Sequence, residues 1–351
     1  MKVIRAEDTR SLEPFRDRII EGDCLGVMKG IPGESIDMIL CDLPYGTTQN
    51  KWDSIIDLDL LFTEYMRIIK PHGAIVLTSS GLFTAKLMLH APEIFKYKLV
   101  WVKSKATNFL NAKKQPLRKY EDICVFYKAQ PTYNPQMSEG KAYDKGVRKD
   151  QLTGSYGAFS PKHVKSDGSR YPTDIVYFKT AESEGAVYHP TQKPVELGRY
   201  LIRTYTNPGD IVLDNACGSG SFCVAAVLEG RSFIGIEKNE DVALFKKRPV
   251  DYIDVCNQRI KEAKRTFETE QQAISENQLF YIPIYSSMRT QKLPGLSKAS
   301  GTLTFSLFFL HYDLVYGVSE AEKRNSLNIC LVNYCLVYGT SETNGTPRAY
   351  L

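Results

Sequence analysis

The residues of this chain that could do chemistry begin with four consecutive positions, Asp42-Leu43-Pro44-Tyr45, directly after the apolar run 38–41. Asp42 can accept a hydrogen bond from an exocyclic NH2 group, the main-chain carbonyl of Leu43 can accept a second, and Tyr45 can stack on a planar ring. Pro44 restricts the preceding residue to extended geometry, which fixes the direction of that carbonyl. With two acceptors on one NH2 group, the nitrogen lone pair is available to attack an electrophilic methyl group. A plain Asp-Pro turn with a surface tyrosine is the alternative.

A second set of residues could bind an adenosine-containing cofactor. Gly218 and Gly220 let the backbone turn sharply after a strand, and the helix that follows presents free N–H groups. Glu237 stands 23 residues beyond Asp214, at the end of the next strand, where an acid accepts hydrogen bonds from ribose hydroxyls. Because Cys223 occupies the third glycine position of a dinucleotide site, the pattern favours S-adenosylmethionine over NAD. A glycine turn without a ligand is the alternative. The candidate residues are Asp214, Cys217, Gly218, Gly220 and Glu237.

The elements that must position these residues alternate along the first 265 positions. Short apolar runs predict strands, and amphipathic patterns between them predict helices. Near-continuous apolar strands of this kind are typical of an α/β fold with a doubly wound, mostly parallel sheet covered on both faces. Asp42 and Asp214 both follow such strands, at the edge where open α/β sheets bind their ligands. The predicted strands are 35–41, 74–78, 98–102, 122–127, 211–214 and 232–237, and the predicted helices are 58–69 and 221–228.

Three motifs together resemble the amino-group DNA methyltransferases. Residues 42–45 resemble the D-P-P-Y motif of that family, residues 214–220 its D-x-F-x-G-x-G cofactor motif, and residues 189–194 (HPTQKP) the block before the cofactor motif. The order of the motifs resembles the β class, and the resemblance covers about residues 18–265. It implies a Rossmann-like methyltransferase fold, S-adenosylmethionine as cofactor and DNA as partner.

The chain departs from the family pattern at two places. Leu43 replaces the first proline of the catalytic motif, but the family uses only the carbonyl of that residue, so the cost is looser geometry. Asn215-Ala216 replaces the aromatic-bearing step of the cofactor motif, which affects a packing contact near the cofactor. Aspartate at position 42, rather than serine, resembles the adenine-N6 branch more than the cytosine-N4 branch.

The resemblance also implies roles for three further residues. Asp23 would contact the cofactor adenine, and Thr191 and Lys193 would contact its methionine end. An ammonium group such as that of Lys193 offers a point charge to a carboxylate. Since Pro194 is a typical first residue of a helix, the alternative for Thr191 is a capping role.

A basic segment is predicted to hold DNA. No acid occurs between positions 103 and 119, and polar and aromatic residues are interleaved with the basic ones. Such a composition suits phosphate contacts, although a solvated loop is the alternative. A base within a duplex must also be flipped out to reach a methyl donor. The candidate DNA-binding residues are Lys103, Lys105, Lys113, Lys114, Arg118 and Lys119.

The chain is predicted to have three parts. Residues 1–265 form the catalytic domain, and residues 129–188 are a loop-rich insertion within it that recognises the target sequence. Residues 266–351 form a C-terminal extension of unknown role. This extension contains a near-repeat, 311–320 and 333–342, which predicts a pair of strands or a poorly ordered appendage because two copies are too few for a solenoid.

Composition excludes several other classes of protein. The 351 residues are 43% apolar and 24% charged with a net charge of +5, which excludes a disordered chain and a disulfide-stapled miniprotein. The eight cysteines form no C-x-x-C pair and no zinc-site spacing, so we expect reduced thiols and no metal. The N-terminal segment is too charged for a signal peptide, and no apolar run is long enough to span a membrane. We therefore expect a cytoplasmic protein, and the family resemblance implies a bacterial or phage origin.

The leading hypothesis is a site-specific DNA methyltransferase acting on the N6 amino group of adenine by base flipping. The alternatives are methylation of cytosine N4, of RNA or of a protein amide, a nucleotide-dependent oxidoreductase, and an inactive DNA-binding relative in which Leu43 is the lesion. A cognate restriction endonuclease and a second copy of the chain are left open as partners.

Overall fold

The computed structural model describes residues 11–47, 53–147, 163–239, 243–245 and 248–290. The chain divides into two units, Met1–Ser275 and Glu276–Leu351, and the site described below belongs to the first. None of the described helices combines the length and the apolar character needed to cross a lipid bilayer. The near-repeat of the C-terminal extension lies outside the described residues.

Strands and helices alternate through the first unit. In chain order, the strands are β1 Arg18–Glu21, β2 Ile36–Cys41, β3 Ile69–Ser79, β4 Phe95–Thr107, β5 Arg118–Phe126, β6 Ser138–Glu139, β7 Tyr143–Val147, β8 His163–Ser166, β9 Ser169–Arg170, β10 Ile175–Phe178, β11 Ile211–Asp214, β12 Ser232–Glu237, β13 Ala243–Phe245 and β14 Arg248–Val250. The α-helices are α1 Cys24–Met28, α2 Leu58–Ile68, α3 Leu82–His90, α4 Val195–Tyr205, α5 Ser221–Leu228 and α6 Tyr252–Thr290, and the short 3-10 helices are Phe109–Asn111 and Ala181–Ser183.

One large sheet organises the fold. Eight strands lie in the order β1-β12-β11-β2-β3-β5-β4-β10. All neighbours in this sheet are parallel except β5, which runs antiparallel to both β3 and β4. The remaining described strands form three small antiparallel pairs, β13 with β14, β6 with β9, and β7 with β8.

Helices cover both faces of the large sheet. Successive residues of β2 point to opposite faces, so Met38 and Leu40 pack with α4, α5 and α6, whereas Ile39 and Cys41 pack with α1, α2 and α3. A strand that is apolar on both faces is buried on both faces, which is why its sequence shows no alternation. This arrangement confirms the predicted α/β class and the doubly wound, mostly parallel sheet.

The predicted boundaries agree best with the observed ones in three consecutive short elements near the end of the large sheet's sequence. β11, α5 and β12 begin and end at the predicted residues. β4 and β5 extend beyond their apolar cores, so the predicted basic segment 103–119 is partly strand. Within the insertion, β10 joins the edge of the large sheet by pairing in parallel with β4.

Close helix packing beneath the site generates a prediction about Gly198 of α4. A methyl group there would lie 2.8 Å from Cδ1 of Phe222 and 2.9 Å from Cβ of Ala225, both on α5. We expect Gly198→Ala to lower the free energy of unfolding by about 1–3 kcal/mol, because the overpacking outweighs the better helix propensity of alanine. Urea denaturation of the two proteins measures the difference.

The matched control is Gly26→Ala in α1, where an added methyl group would meet no atom within 4 Å. This variant should be as stable as the original protein or up to about 1 kcal/mol more stable. If Gly198→Ala behaved like Gly26→Ala, the packing of α4 on α5 described here would be wrong.

Candidate active site

The two candidate acids meet at one edge of the sheet. β2 and β11 are parallel neighbours, with Met38 opposite Val212, so the residues that follow them, Asp42 and the strand-ending Asp214, lie at the same carboxyl edge. Both line one cavity of about 760 Å³, a size typical of small-molecule sites. The other predicted site residues that line it are Asp23, Leu43, Pro44, Tyr45, Lys103, Arg118, Thr191, Lys193, Cys217, Gly218 and Glu237.

Asp42 is held by three donors that share one of its oxygens. Oδ1 accepts hydrogen bonds from the Tyr45 hydroxyl at 2.8 Å and from the Thr78 hydroxyl, and the ammonium of Lys193 lies 2.7 Å from it. Among the described residues, the hydrogen bonds to Asp42 all fall on Oδ1. The orientation of the carboxylate is therefore fixed while its Oδ2 can accept a further hydrogen bond.

A second acid, Glu121 of β5, extends this cluster. Its Oε2 lies 3.1 Å from Nζ of Lys193, and its Oε1 lies 3.1 Å from Nζ of Lys103. Two lysines and two acids thus alternate in the order Lys103, Glu121, Lys193, Asp42. We name these four residues the charge cluster. Isolated buried charges are strongly unfavourable, so each member depends on its neighbours.

Electrostatics within the charge cluster favours the ionised forms of Glu121 and Lys193. Burial opposes ionisation of Glu121, but Lys193 and Lys103 outweigh it and hold the pKa of Glu121 below its usual value. Burial also opposes protonation of Lys193, but Asp42 and Glu121 outweigh it and raise the pKa of this ammonium above its usual range. Burial and the two acids raise the pKa of Tyr45, so its hydroxyl remains a donor.

The residues around Asp42 explain the departure at position 43. The Leu43 side chain is only 3% exposed and belongs to the core on the α1–α3 face of the sheet. Leucine fills this position by packing, while Pro44 still follows it. The Tyr45 ring stacks on Phe83 with centroids 5.3 Å apart.

The predicted cofactor end is built on the glycine turn between β11 and α5. Gly218 and Gly220 have φ values of 52° and 77°, which residues other than glycine rarely adopt. A methyl group on Gly220 would also lie 2.9 Å from Sγ of Cys256, so this turn requires glycine twice over. The Gly218 amide donates to Oε2 of Glu237 at 2.7 Å, which links the glycine turn to the end of β12.

The three acids predicted to bind the cofactor differ in their exposure to solvent. Asp214 is 3% exposed, and burial raises its pKa to about 8. Burial also raises the pKa of Glu237. Asp23 is exposed and caps α1, where its Oδ1 accepts from the amides of Leu25 and Gly26 at 3.0 and 3.2 Å.

The structure differs from the sequence analysis at the block before α4. Lys193, assigned by resemblance to the methionine end of the cofactor, instead directs its ammonium at Asp42 and Glu121. The capping alternative for Thr191 is wrong, because the carboxylate of Glu184 accepts from the first amides of α4, Val195 and Glu196, at 2.7 and 3.0 Å. Thr191 is exposed, and its hydroxyl lies 3.1 Å from Nδ1 of the neighbouring His189.

Lys103 requires a correction within the predicted DNA-binding set. It is 6% exposed and paired with Glu121, so its ammonium is committed to the charge cluster and is not displayed to a phosphate backbone. The other five members of the set, Lys105, Lys113, Lys114, Arg118 and Lys119, are exposed.

Sequence reasoning missed Thr78 and Glu121. Thr78 closes a predicted strand, and Glu121 lies two residues beyond the acid-free segment 103–119. In the sequence, Glu121 could have been found as an acid that directly precedes a predicted apolar strand. The described residues contain no group of three or more His, Cys, Asp or Glu side chains arranged to hold a metal ion.

Comparison of the chain with known proteins identifies a family that matches most of the residues around this site. The model of the N6/N4 DNA methylase family matches residues 36–246, which is more than half of the chain. The chain therefore belongs to the N6/N4 DNA methylases, a family that transfers methyl groups from S-adenosylmethionine to DNA. This membership confirms the family resemblance of the three motifs.

Individual relatives resemble most of the first unit. DNA adenine methyltransferase YhdJ of Escherichia coli K12 is 32% identical over 253 residues, which cover 66% of this chain and 82% of that protein. Type II methyltransferase M.HinfI of Haemophilus influenzae is 25% identical over 291 residues, covering 72% and 71%. The crystal structure of the M1.HpyAVI–SAM complex is 22% identical, covers 69% of this chain and 98% of its own, and superposes with a TM-score of 0.48.

The raised pKa of Asp214 generates a prediction about stability and pH. A carboxyl with a pKa of about 8 when folded and about 4 when unfolded holds its proton in the folded state. The contribution of Asp214 to stability therefore falls as the pH rises from 4 to 8, by up to about 1.4 kcal/mol per pH unit, and Asp214→Asn removes this fall. We expect the stability of Asp214→Asn relative to the original protein to rise across that interval in urea denaturation.

A flat profile for Asp214→Asn relative to the original protein would show that Asp214 is ionised throughout this interval and would contradict the effect of burial.

Proposed function

We propose that this protein is a site-specific DNA methyltransferase that methylates the N6 amino group of adenine. The observation that carries the proposal is Asp42, whose Oδ1 is fixed by Tyr45, Thr78 and Lys193 while Oδ2 can accept from an amine. The cavity that Asp42 lines continues to Asp214 and Glu237. A relative that is 32% identical is a DNA adenine methyltransferase, which supports adenine as the target base.

The part of the cavity formed by the glycine turn and the end of β12 suits the methyl donor of the family. The glycine turn lets a ligand approach the backbone, and Glu237 at the end of β12 suits ribose hydroxyls. When bound, S-adenosylmethionine supplies an electrophilic methyl group. The residues that would hold it are Asp23, Thr191, Asp214, Cys217, Gly218, Gly220 and Glu237. The pairing of Lys193 with two acids supports a role for this lysine in the charge cluster rather than at the methionine end.

The catalytic end then prepares the amine. Oδ2 of Asp42 and the carbonyl of Leu43 accept the two N–H groups, which frees the nitrogen lone pair for attack. Pro44 keeps the carbonyl in one direction. After the methyl group is transferred, Asp42 accepts the proton that the nitrogen releases. The base reaches this position only by leaving the duplex stack.

Lys193 has a second role in this proposal. Its ammonium lies 2.7 Å from Oδ1 of Asp42 and draws negative charge toward that oxygen, which weakens Oδ2 as an acceptor for an incoming NH2 group. Glu121 offers the alternative acceptor at 3.1 Å, and Lys103 balances the charge of Glu121. Glu121 and Lys103 are therefore proposed as positioning residues, which hold Lys193 so that Asp42 can accept from the substrate.

The function is tested by expressing the full chain in a bacterial host that lacks DNA methylation and mapping the modified bases. We expect N6-methyladenine within one short sequence, and Asp42→Asn should lower the rate by about a hundredfold or more because a transition-state acceptor is lost. Calorimetric titration with S-adenosylmethionine should show that this variant still binds cofactor.

Other outcomes of the same experiment have definite meanings. N4-methylcytosine without N6-methyladenine would replace adenine by cytosine as the target. An absence of modified DNA bases, with cofactor binding intact, would favour an inactive DNA-binding relative. Full activity of Asp42→Asn would contradict the catalytic assignment. Co-expression and sedimentation experiments test the two partners left open, a restriction endonuclease and a second copy of the chain.

Glu121→Gln tests the charge cluster. Removing this negative charge leaves Asp42 as the only acid of the cluster for Lys193, so Lys193 should draw more of the charge of Asp42 toward Oδ1 and weaken Oδ2 as an acceptor for the substrate amine. We expect kcat to fall about tenfold or more, equivalent to one charge-assisted hydrogen bond, with little change in KM for the cofactor. The double variant Glu121→Gln/Lys103→Met restores charge balance and should recover part of kcat.

Glu64→Gln is the matched control, because Glu64 pairs with Arg67 at 2.6 Å and does not line the cavity. Its kcat should be unchanged. Thermal unfolding of every variant separates lost activity from lost structure. If adding Lys103→Met lowered kcat further rather than raising it, the proposed balance of charges would be wrong.

A further inference from the structure

The turn between β4 and β5 exposes two large apolar side chains side by side. Phe109 is 76% exposed and Leu110 is 84% exposed. Single exposed apolar residues are common on protein surfaces, but an adjacent phenylalanine and leucine at the tip of a hairpin form a projecting apolar point. We name these two residues the apolar tip.

The backbone that carries the apolar tip is ordered by its own hydrogen bonds. Asn108 adopts a left-handed conformation with φ of 69°, and its Oδ1 accepts from Nδ2 of Asn111 at 2.8 Å. The Ala112 amide donates to the Phe109 carbonyl at 3.1 Å, and the Lys114 amide donates to the Asn111 carbonyl at 2.8 Å. The turn therefore presents the apolar tip before any partner binds.

The apolar tip stands next to the rim of the cavity. Thr107 and Arg118 pair across the base of the turn, and both line the cavity that contains Asp42. Tyr120, 55% exposed, lines it on the same hairpin. A molecule that entered the cavity from this side would have the apolar tip beside it.

The charges around the apolar tip select one kind of partner. Five exposed basic residues surround it on the same hairpin, and no acid occurs from position 103 to 119. An apolar point within a basic surface suits a polyanionic partner, and the cavity beside it, which contains Asp42, requires a partner that presents a base. Duplex DNA, with a polyanionic exterior and an apolar stacked interior, meets both requirements. The five residues are Lys105, Lys113, Lys114, Arg118 and Lys119.

We propose that Phe109 and Leu110 form a wedge that enters the base stack of duplex DNA and occupies the space left by the target base. The inference rests on the proposed function, in which the base leaves the stack to enter the cavity. Extrusion removes stacking on both sides of the base, and an apolar side chain inserted between base steps replaces part of that contact. The basic residues of the hairpin hold the flanking phosphates.

The test uses oligonucleotide duplexes that carry the methylation site mapped for the original protein. In one duplex the target base is paired, and in the other it is mispaired and already easier to extrude. We expect Phe109→Ala/Leu110→Ala to lower single-turnover methylation of the paired duplex about tenfold or more, the equivalent of one base–aromatic stacking contact, and to lower methylation of the mispaired duplex much less. Phe109→Trp keeps an aromatic face and should retain the rate on both.

Two controls separate the wedge from other effects. Leu89→Ala truncates a leucine that is 80% exposed on α3 and does not line the cavity, so it should leave both rates unchanged. Lys113→Ala/Lys114→Ala removes phosphate contacts and should weaken binding of both duplexes equally, with a shallower salt dependence.

Three results would overturn the wedge. The first is an unchanged rate for Phe109→Ala/Leu110→Ala on the paired duplex. The second is an equal loss for Leu89→Ala. The third is an equal loss on the paired and mispaired duplexes. If a lower oligomeric state in sedimentation accompanies that loss, the apolar tip contacts a second copy of the chain. If the mapping finds no methylation site for the original protein, the proposed function itself has failed, and this outcome is distinct from the three above.

Discussion

The ammonium of Lys193 is the group on which the candidate site depends. It lies within 3.1 Å of two carboxylates that come from different parts of the chain, Asp42 after β2 and Glu121 on β5. Removing any one of these three charges would leave another uncompensated in a buried setting, and an uncompensated buried charge costs several kcal/mol. The segment before α4 is thereby fastened to two strands of the sheet. The same contact fixes Asp42 through Oδ1 and leaves Oδ2 for the substrate, so one ion pair both holds the site together and orients its acceptor.

The order and direction of the strands explain why these groups meet. β2 lies between β11 and β3, which places Asp42 and Asp214 at one edge. β5 runs antiparallel to β3, so the first residues of β5 reach the edge where β2 and β3 end. Glu121 stands near the beginning of β5, just before its apolar part. It therefore lies at the cavity and not at the other end of the strand. Reversing the direction of this single strand would remove Glu121 from the site.

The sequence predicted what depends on local patterns and on general rules of α/β sheets. Continuous apolar runs located β2, β11 and β12, and the rule that ligands bind at carboxyl ends brought Asp42 together with Asp214. It could not predict the partners of Lys193, because Glu121 is 72 positions away and its placement follows from the antiparallel direction of β5. Nor could it predict the burial of Lys103, since a basic run is solvated unless a nearby acid folds against it.

The pairing of β10 with β4 has a consequence for exchanging the predicted recognition segment, residues 129–188, between relatives. Phe178 lies opposite Lys103 in this parallel pair, so the end of the inserted segment is in register with a member of the charge cluster. A graft that replaced all of 129–188 would exchange β10, which is an edge strand of the large sheet, together with the segment 129–174 that precedes it. A junction placed before Ile175 would keep the register Ile175–Val100 to Phe178–Lys103 intact. A chimaera built on this chain is therefore better joined ahead of β10 than after it.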